Sequence, residues 1–147
     1  MNSLQRYAFA AARVLVAVIF LASGFGIIPQ ALAAKELANC GTPASLVPLM
    51  MLAGRTIEIA GGFALILRIY PQIAALALIA FLVPATLVGH AFWQAVGTPA
   101  YIPQFLNFLK NVAMTGGLLF IAATPNQPSL FRSSPRSTDR ELTTHES

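Results

Sequence analysis

Charged residues are scarce in this chain. They make up only 10% of its 147 residues, whereas hydrophobic residues make up 56%, and an ordinary soluble domain carries about 25% charged residues. A soluble fold of this length needs a charged surface that these residues cannot supply, so the composition predicts an integral membrane protein. The basic residues are also too scattered to form the stripe of a nucleic-acid-binding domain, and we expect no nucleic-acid partner.

Cysteine and the common cofactor motifs are almost absent. The single cysteine, Cys40, allows neither an internal disulfide nor a dithiol relay within the chain. The sequence has no Cys/His cluster with zinc spacing and no GxGxxG, P-loop or HExxH motif. We therefore expect no metal site and no cofactor held by the chain's own motifs, so that any electron carrier would be a bound molecule or would belong to a partner.

Four apolar segments have about the 20 residues that cross a bilayer. They cover residues 7–28, 46–67, 73–89 and 105–123, and each should be helical because the hydrocarbon offers the backbone no water. The short break "RIYPQ" predicts that the second and third form an antiparallel hairpin, and residues 30–39 predict a short helix lying on the outer surface of the membrane. The sequence thus predicts an all-α, four-helix membrane domain over residues 1–124, followed by a disordered tail over residues 125–147.

The distribution of basic residues predicts the orientation. Arg6, Arg13, Arg68 and the arginines of the tail fall on one side of a four-span chain, and the loops of the other side hold only Lys35. The positive-inside rule therefore predicts that both termini are cytoplasmic. The basic start, apolar core and "ALAA" of the first segment also fit a cleaved signal peptide. We favour an uncleaved helix because the apolar run is long enough to span and further spans follow.

Two spans carry charged residues. In "GRTIEIAGG" Glu58 shares a helix face with Gly54 and Gly62, and Arg55 lies one turn away, so this face should point into the bundle. In "FLKNVAMTGG" polar and small residues again share a face, which predicts that Asn107, Lys110 and Asn111 point inward. The glycines expected to serve helix packing are Gly54, Gly61, Gly62, Gly116 and Gly117.

These polar residues support two interpretations. Ionisable groups inside a membrane are functional candidates, and the candidates for a pocket open to the outer face are Glu58, Lys110, His90, Arg55, Asn111 and Asn107. Two cations against one anion would suit an anionic group or a quinone carbonyl. In the structural interpretation, Glu58 and Lys110 form one buried ion pair that fixes helix register, and Arg55 extends toward the membrane surface.

The order of several motifs resembles the DoxX family of small bacterial membrane proteins. The matching pieces are "ARVLVAVIFLASGFG", "LAGRTIEIAGGFALIL", "GHAFW" and "FLKNVAMTGGLLF", and they carry the family's motif residues Glu58, Gly61, Gly62, His90, Phe92, Lys110 and Asn111. The resemblance implies a multi-pass four-helix bundle in the bacterial inner membrane. It also implies a small or accessory subunit of a quinone-linked, sulfur or oxidative-stress redox complex, with a redox subunit or a second copy as partner. The alternative is a non-catalytic scaffold or permeability protein.

Overall fold

The chain is described by a computed structural model over residues 3–29 and 31–124. The five α-helices of these residues are α1 (Ser3–Gly24), α2 (Ala31–Asn39), α3 (Val47–Leu67), α4 (Pro71–Gly89) and α5 (Tyr101–Ala123), with a 3-10 turn at Phe92–Gln94. No strand occurs in the described part, and the predicted all-α class is confirmed. The tail predicted to be disordered, residues 125–147, lies outside the described residues.

Four of these helices are long and apolar enough to cross a membrane. They are α1, α3, α4 with its extension to Gln94, and α5, and they correspond to the four apolar segments of the sequence. The predicted four-helix membrane bundle is therefore confirmed. The short helix predicted after the first span is present as α2.

The helices pack in a ring around one apolar core. α1 packs on α3, α3 on α4 and α4 on α5, while α5 meets α1 along a narrower seam. Among the described residues no Cα atom of α3 lies within 8 Å of a Cα atom of α5, so these helices lie diagonally across the bundle. The core is formed by Ala17, Phe20, Leu65, Ala74, Ala75, Leu78, Leu82, Leu118 and Ile121. The short helix α2 packs on α3 and α4, and we call the end of the bundle where α1 leads into α2 the α2 end.

The α3–α4 hairpin forms the opposite end. The N–H of Arg68 donates to the carbonyl of Ala64, and so does the N–H of Ile69, at 2.9 Å. This closure places Arg68 at φ 61° and Tyr70 at φ 43°, the left-handed region that side chains disfavour. α4 then begins at Pro71, where a missing N–H costs nothing because the first helical turn has no acceptor for it.

Two helix boundaries differ from the sequence prediction. α1 ends at Gly24, four residues before the end of its apolar segment, because Gly26 adopts φ 76° and donates to the Ser23 carbonyl at 2.8 Å. α5 begins at Tyr101, four residues before its apolar segment. Pro103 falls in the first turn of α5, where helices accept proline, so it does not delay the helix start.

The glycines of α3 allow close helix packing. A Cβ on Gly61 would lie 2.7 Å from Leu78 Cγ of α4, and one on Gly62 would lie 2.7 Å from Leu21 Cδ2 of α1. A Cβ on Gly54 would lie 2.9 Å from the ring of Phe81. The glycine pair of α5 is different. A Cβ on Gly117 would lie 3.4 Å from Val16 Cγ2 of α1. Gly116 is exposed, and a Cβ there would meet nothing within 4 Å, so the packing role predicted for Gly116 is wrong.

Candidate functional site

Glu58 lies at the contact between α1 and α3. Its side chain is 6% exposed and accepts a hydrogen bond from the Ser23 hydroxyl near the end of α1. Gly24 follows Ser23 and carries no side chain, so the Glu58 Cβ lies 3.3 Å from where a Gly24 Cβ would stand. The two helix backbones therefore approach closely, and the carboxylate is held by α1. The inward orientation predicted for the face of Glu58, Gly54 and Gly62 agrees with their burial.

Arg55 covers the end of α1, one turn from Glu58. Its Nε donates to the Gly24 carbonyl oxygen at 3.1 Å, and its Nη2 lies 2.8 Å from where a Gly26 Cβ would stand. A cation at this position faces the free carbonyls and negative dipole end of α1. The side chain is exposed overall, yet its guanidinium joins two helices and also interacts electrostatically with Glu58. We call Ser23, Gly24, Arg55 and Glu58 the α1–α3 polar contact.

A second buried contact joins α4 and α5. Asn111 Nδ2 donates to the Thr86 hydroxyl oxygen at 2.9 Å, and that hydroxyl donates to the Leu82 carbonyl at 2.6 Å. Both side chains are buried, at 7% and 6% exposure. The Thr86 hydroxyl therefore accepts one hydrogen bond from α5 and donates one within α4, so it is satisfied at the contact between the two helices. Asn111 thus holds two spans together.

Lys110 does not share the burial of its neighbour Asn111. It is exposed on α5, and its Nζ donates to Asn107 Oδ1 at 3.1 Å. The predicted inward orientation is wrong for Lys110, because successive helix positions differ by about 100° and α5 turns Asn111 and Leu118 toward the core. Nine residues separate Lys110 from the start of α5, about 13 Å along the helix, so this cation lies on the side of a membrane-spanning segment.

His90 closes α4 at the α2 end. Its Nδ1 lies 2.8 Å from Gln104 Oε1 of α5. Beside it, Phe92 contacts a group of rings, Trp93, Tyr101, Phe105 and Phe108, in edge-to-face geometry. His90 therefore belongs to the connection between α4 and α5.

The predicted pocket residues occupy separate places. Glu58 and Arg55 belong to the α1–α3 polar contact, Asn111 to the α4–α5 contact, and His90 to the connection at the α2 end. The predicted Glu58–Lys110 ion pair is wrong. The nearest partners in the described chain are Ser23 for Glu58 and Asn107 for Lys110, because α3 and α5 are diagonal in the ring.

An open cleft of about 260 Å³ lies at the α2 end. Its walls come from α2, the end of α4, the connection after it and the start of α5. The polar side chains that line it are Glu36, Gln94, Thr98 and Gln104, and small residues such as Gly89 and Ala100 complete it. None of the residues predicted as ligand candidates lines this cleft, although His90 is hydrogen-bonded to Gln104.

Sequence reasoning did not assign the partners of three polar residues that the structure uses, Ser23, Thr86 and Gln104. Ser23 directly precedes Gly24, and a small polar residue beside a glycine in a span is a signal for a helix contact. Thr86 bonds within its own helix as well, which hides its second partner from any sequence pattern. Gln104 lies in the first turn of α5, outside the apolar segment that defined the span. Among the described residues, no group of three or more His, Cys, Asp or Glu side chains could hold a metal ion.

The ring of apolar spans with polar contacts near one end defines a small helical integral membrane protein. The DoxX family model matches residues 8–91, more than half of the chain, and the chain belongs to the DoxX family. This match covers α1 to α4 and ends before α5, so the family model does not cover the "FLKN" segment.

Two curated relatives extend the similarity to nearly the whole chain. The inner membrane protein YphA of Escherichia coli strain K12 is 27% identical over 145 residues, with 90% of this chain and 99% of YphA covered. The inner membrane protein YqjF of the same strain is 26% identical over 126 residues, with 84% and 88% covered. No solved structure matches this chain. The chain is therefore a DoxX-family protein of the inner membrane.

Proposed function

We propose that this protein is an accessory subunit of a membrane redox complex, and that it binds a quinone head group from the bilayer at Asn107 and Lys110. The observation that carries the proposal is the 3.1 Å bond between Lys110 Nζ and Asn107 Oδ1 on an exposed face of a spanning helix. A charged group at this depth is costly and is a functional candidate. Quinones dissolve in the bilayer, so they reach this face directly.

The chemistry of the pair suits a quinone carbonyl. The Lys110 ammonium has three donors and uses one on Asn107, so the others are available to a carbonyl oxygen. The Asn107 amide nitrogen is a further donor. Neighbouring apolar side chains of α5 are exposed, among them Leu106, Leu109 and Val112, and they provide a surface for the isoprenoid tail. The expected site is a lateral one on α5.

The accessory role follows from what the chain would need for electron transfer. The described residues contain no group of three or more His, Cys, Asp or Glu side chains that could hold a metal ion, and the sequence has no flavin or dinucleotide motif. The electron carrier would therefore be the quinone itself or a group on a partner, which could be a redox subunit or a second copy of this chain. This class of role is what the resemblance to the DoxX family implies, whereas the names of YphA and YqjF say only that they are inner membrane proteins.

Quinone binding is tested on the purified protein in lipid nanodiscs. The chain has one tryptophan, Trp93, and its ring lies 6.2 Å from Phe108, two residues before Lys110. A short-chain ubiquinone should therefore quench Trp93 fluorescence in a saturable way. We expect Lys110→Met to weaken the apparent affinity by about tenfold, as loss of a charge-assisted hydrogen bond would. The matched control Lys35→Met removes a lysine from α2 and should bind as the native protein does.

Two results would count against the quinone site. One is quenching that rises linearly with quinone concentration, as collisions in the bilayer would produce. The other is equal weakening by Lys110→Met and Lys35→Met, which would mean that the net charge matters and the site does not.

A second candidate function is a non-catalytic scaffold. It is favoured by the burial of Glu58 and Asn111, whose side-chain hydrogen bonds each join two spans and so hold the bundle together. In that case the native protein and Lys110→Met would show the same non-saturable quenching and the same unfolding midpoint. Co-purification of a redox subunit with the native protein, and its loss with Lys110→Met, would favour the accessory role.

A further inference from the structure

We propose that the cleft at the α2 end binds a small molecule through a primary ammonium group, with Glu36 as its counter-ion. The cleft has a volume of about 260 Å³ and Glu36 is the charged residue that lines it. It is separate from Asn107 and Lys110, which do not line it. The proposal does not depend on quinone binding.

The Glu36 carboxylate lacks a partner in the described part of the chain. The side chain is half-buried on α2, and no described side chain forms an ion pair or hydrogen bond with it. The backbone carbonyl of Glu36 accepts from the Cys40 N–H, which leaves the carboxylate unaffected. A half-buried carboxylate loses part of its hydration, and a bound cation would compensate for that loss. The Glu36 carboxylate on the cleft wall therefore favours binding of a ligand with a positively charged group.

The walls formed by the α4–α5 connection and the start of α5 supply hydrogen-bonding groups. The Gln104 amide lies 2.8 Å from His90 Nδ1 through its Oε1, and the side chain also carries an NH₂ group that can donate. The Thr98 hydroxyl is already used, since it donates to the Ala95 carbonyl and accepts from the Ala100 N–H. Gln94 adds a second amide, whose oxygen can accept from an ammonium or a hydroxyl.

The size and lining of the cleft limit the ligand. Its remaining walls are Val88, Gly89, Ala91, Ala95 and Ala100, which offer little apolar area, so a large hydrophobic ligand would gain little by binding. Pockets for drug-sized molecules start at about 300 Å³. The cleft therefore fits a small polar amine with a hydroxyl or similar group next to the ammonium. Such a group occurs in free amino alcohols and in ethanolamine lipid head groups.

The test uses the full-length protein in phosphatidylcholine nanodiscs that contain no quinone. Ethanolamine is the probe, titrated at constant pH and ionic strength, and ethylene glycol is the neutral probe with the same number of heavy atoms. The readout is the fluorescence of Trp93, which directly precedes Gln94 in the chain. We expect a saturable change with ethanolamine and none with ethylene glycol.

Two variants and a control locate the binding. Glu36→Gln keeps the shape of the side chain and should weaken ethanolamine binding by about tenfold. Gln94→Leu, at an exposed position, should weaken it by a smaller factor. Lys35→Gln changes the neighbouring residue of α2 and should leave binding unchanged. Circular dichroism of each variant confirms that its helix content is that of the native protein.

The two sources of the ammonium group are separated by the lipid. If the head group of a lipid is the ligand, nanodiscs of phosphatidylethanolamine will abolish the response to dissolved ethanolamine. If a free amine is the ligand, the response will be the same in both lipids. Equal responses to ethanolamine and ethylene glycol would overturn the proposal. Native affinity in Glu36→Gln, or an equal loss in Lys35→Gln, would also overturn it.

Discussion

The Nε of Arg55 donates to the carbonyl oxygen of Gly24, 3.1 Å away, and so joins the middle of one spanning helix to the end of another. This bond explains why a guanidinium stands inside an apolar span. It satisfies a carbonyl that the end of α1 leaves without a helical partner, and it brings a positive charge to the negative end of that helix. The Arg55 side chain therefore caps the C-terminal end of α1.

Replacement of Arg55 should show whether this bond contributes to stability. We expect Arg55→Met to lower the free energy of unfolding by about 1 kcal/mol, because the Gly24 carbonyl loses its donor and the helix end loses its cation. Unfolding in mixed micelles, followed by circular dichroism during an SDS titration, measures the change. Arg55→Lys keeps the charge without the planar donor group, so its free energy of unfolding should fall between those of the native protein and Arg55→Met. A midpoint unchanged in Arg55→Met would mean that water replaces the bond at no cost.

A double-mutant cycle should show no coupling between Glu58 and Lys110. Their helices lie diagonally in the bundle, and each side chain has a different partner. Effects of distant residues on the free energy of unfolding usually add within about 0.5 kcal/mol, so we expect Glu58→Gln and Lys110→Met to be additive. The comparison cycle is Glu58→Gln with Ser23→Ala, where the hydrogen bond predicts a coupling of about 1 kcal/mol. A larger coupling for Glu58 with Lys110 than for Glu58 with Ser23 would contradict the structure.

The sequence predicts the spans and the buried face of α3 because these depend on local patterns. A run of about 20 apolar residues must be helical in lipid, and the i, i+4 spacing of Gly54, Glu58 and Gly62 defines one face. The five-residue break "RIYPQ" is too short to connect two spans that are not neighbours, so it predicts the α3–α4 hairpin.

The partners of the polar residues could not be predicted in the same way. A helical pattern indicates which residues share a face, and it leaves open which neighbouring helix that face meets. The connection from α1 to α3 contains α2 and is long enough for several positions of α1 in the ring. The sequence pattern therefore does not predict that α1 lies between α3 and α5, which places α3 and α5 on the diagonal. Lys110 and Asn111 are adjacent in α5, so their side chains point about 100° apart around the helix axis. With Asn111 turned to the core, Lys110 faces outward. The common polarity of Lys110 and Asn111 made them look like one group.

Alanine substitutions of two glycines should have opposite effects. At Gly61 a Cβ would lie 2.7 Å from Leu78 Cγ in the core, so Gly61→Ala should lower the free energy of unfolding by about 1–3 kcal/mol through overpacking. At Gly116 a Cβ meets nothing within 4 Å, so Gly116→Ala should raise it by about 0.5–1 kcal/mol through helix propensity. SDS titration of both variants gives the two values. Equal destabilisation would mean that Gly116 packs against something in the membrane-embedded protein.

Substitution of Arg68 should stabilise the hairpin for two independent reasons. Arg68 stands at φ 61°, where a residue other than glycine or asparagine is strained by about 1–2 kcal/mol. It also lies close enough to Arg13 of α1 to repel it, and the Arg13 side chain is only 4% exposed. Arg68→Asn tolerates the left-handed conformation and removes the repulsion, so we expect the free energy of unfolding to rise by about 1 kcal/mol.

The control for this prediction is Arg68→Lys, which keeps both the charge and the strained backbone and should leave the free energy of unfolding unchanged. Arg13→Met combined with Arg68→Asn then separates the two causes. If repulsion dominates, the gain from Arg68→Asn will disappear once Arg13 is neutral; if backbone strain dominates, the gain will remain. All variants are refolded into micelles before measurement, so that a change in insertion orientation does not enter the comparison. A loss of stability in Arg68→Asn would mean that the arginine side chain makes a favourable contact stronger than both costs together.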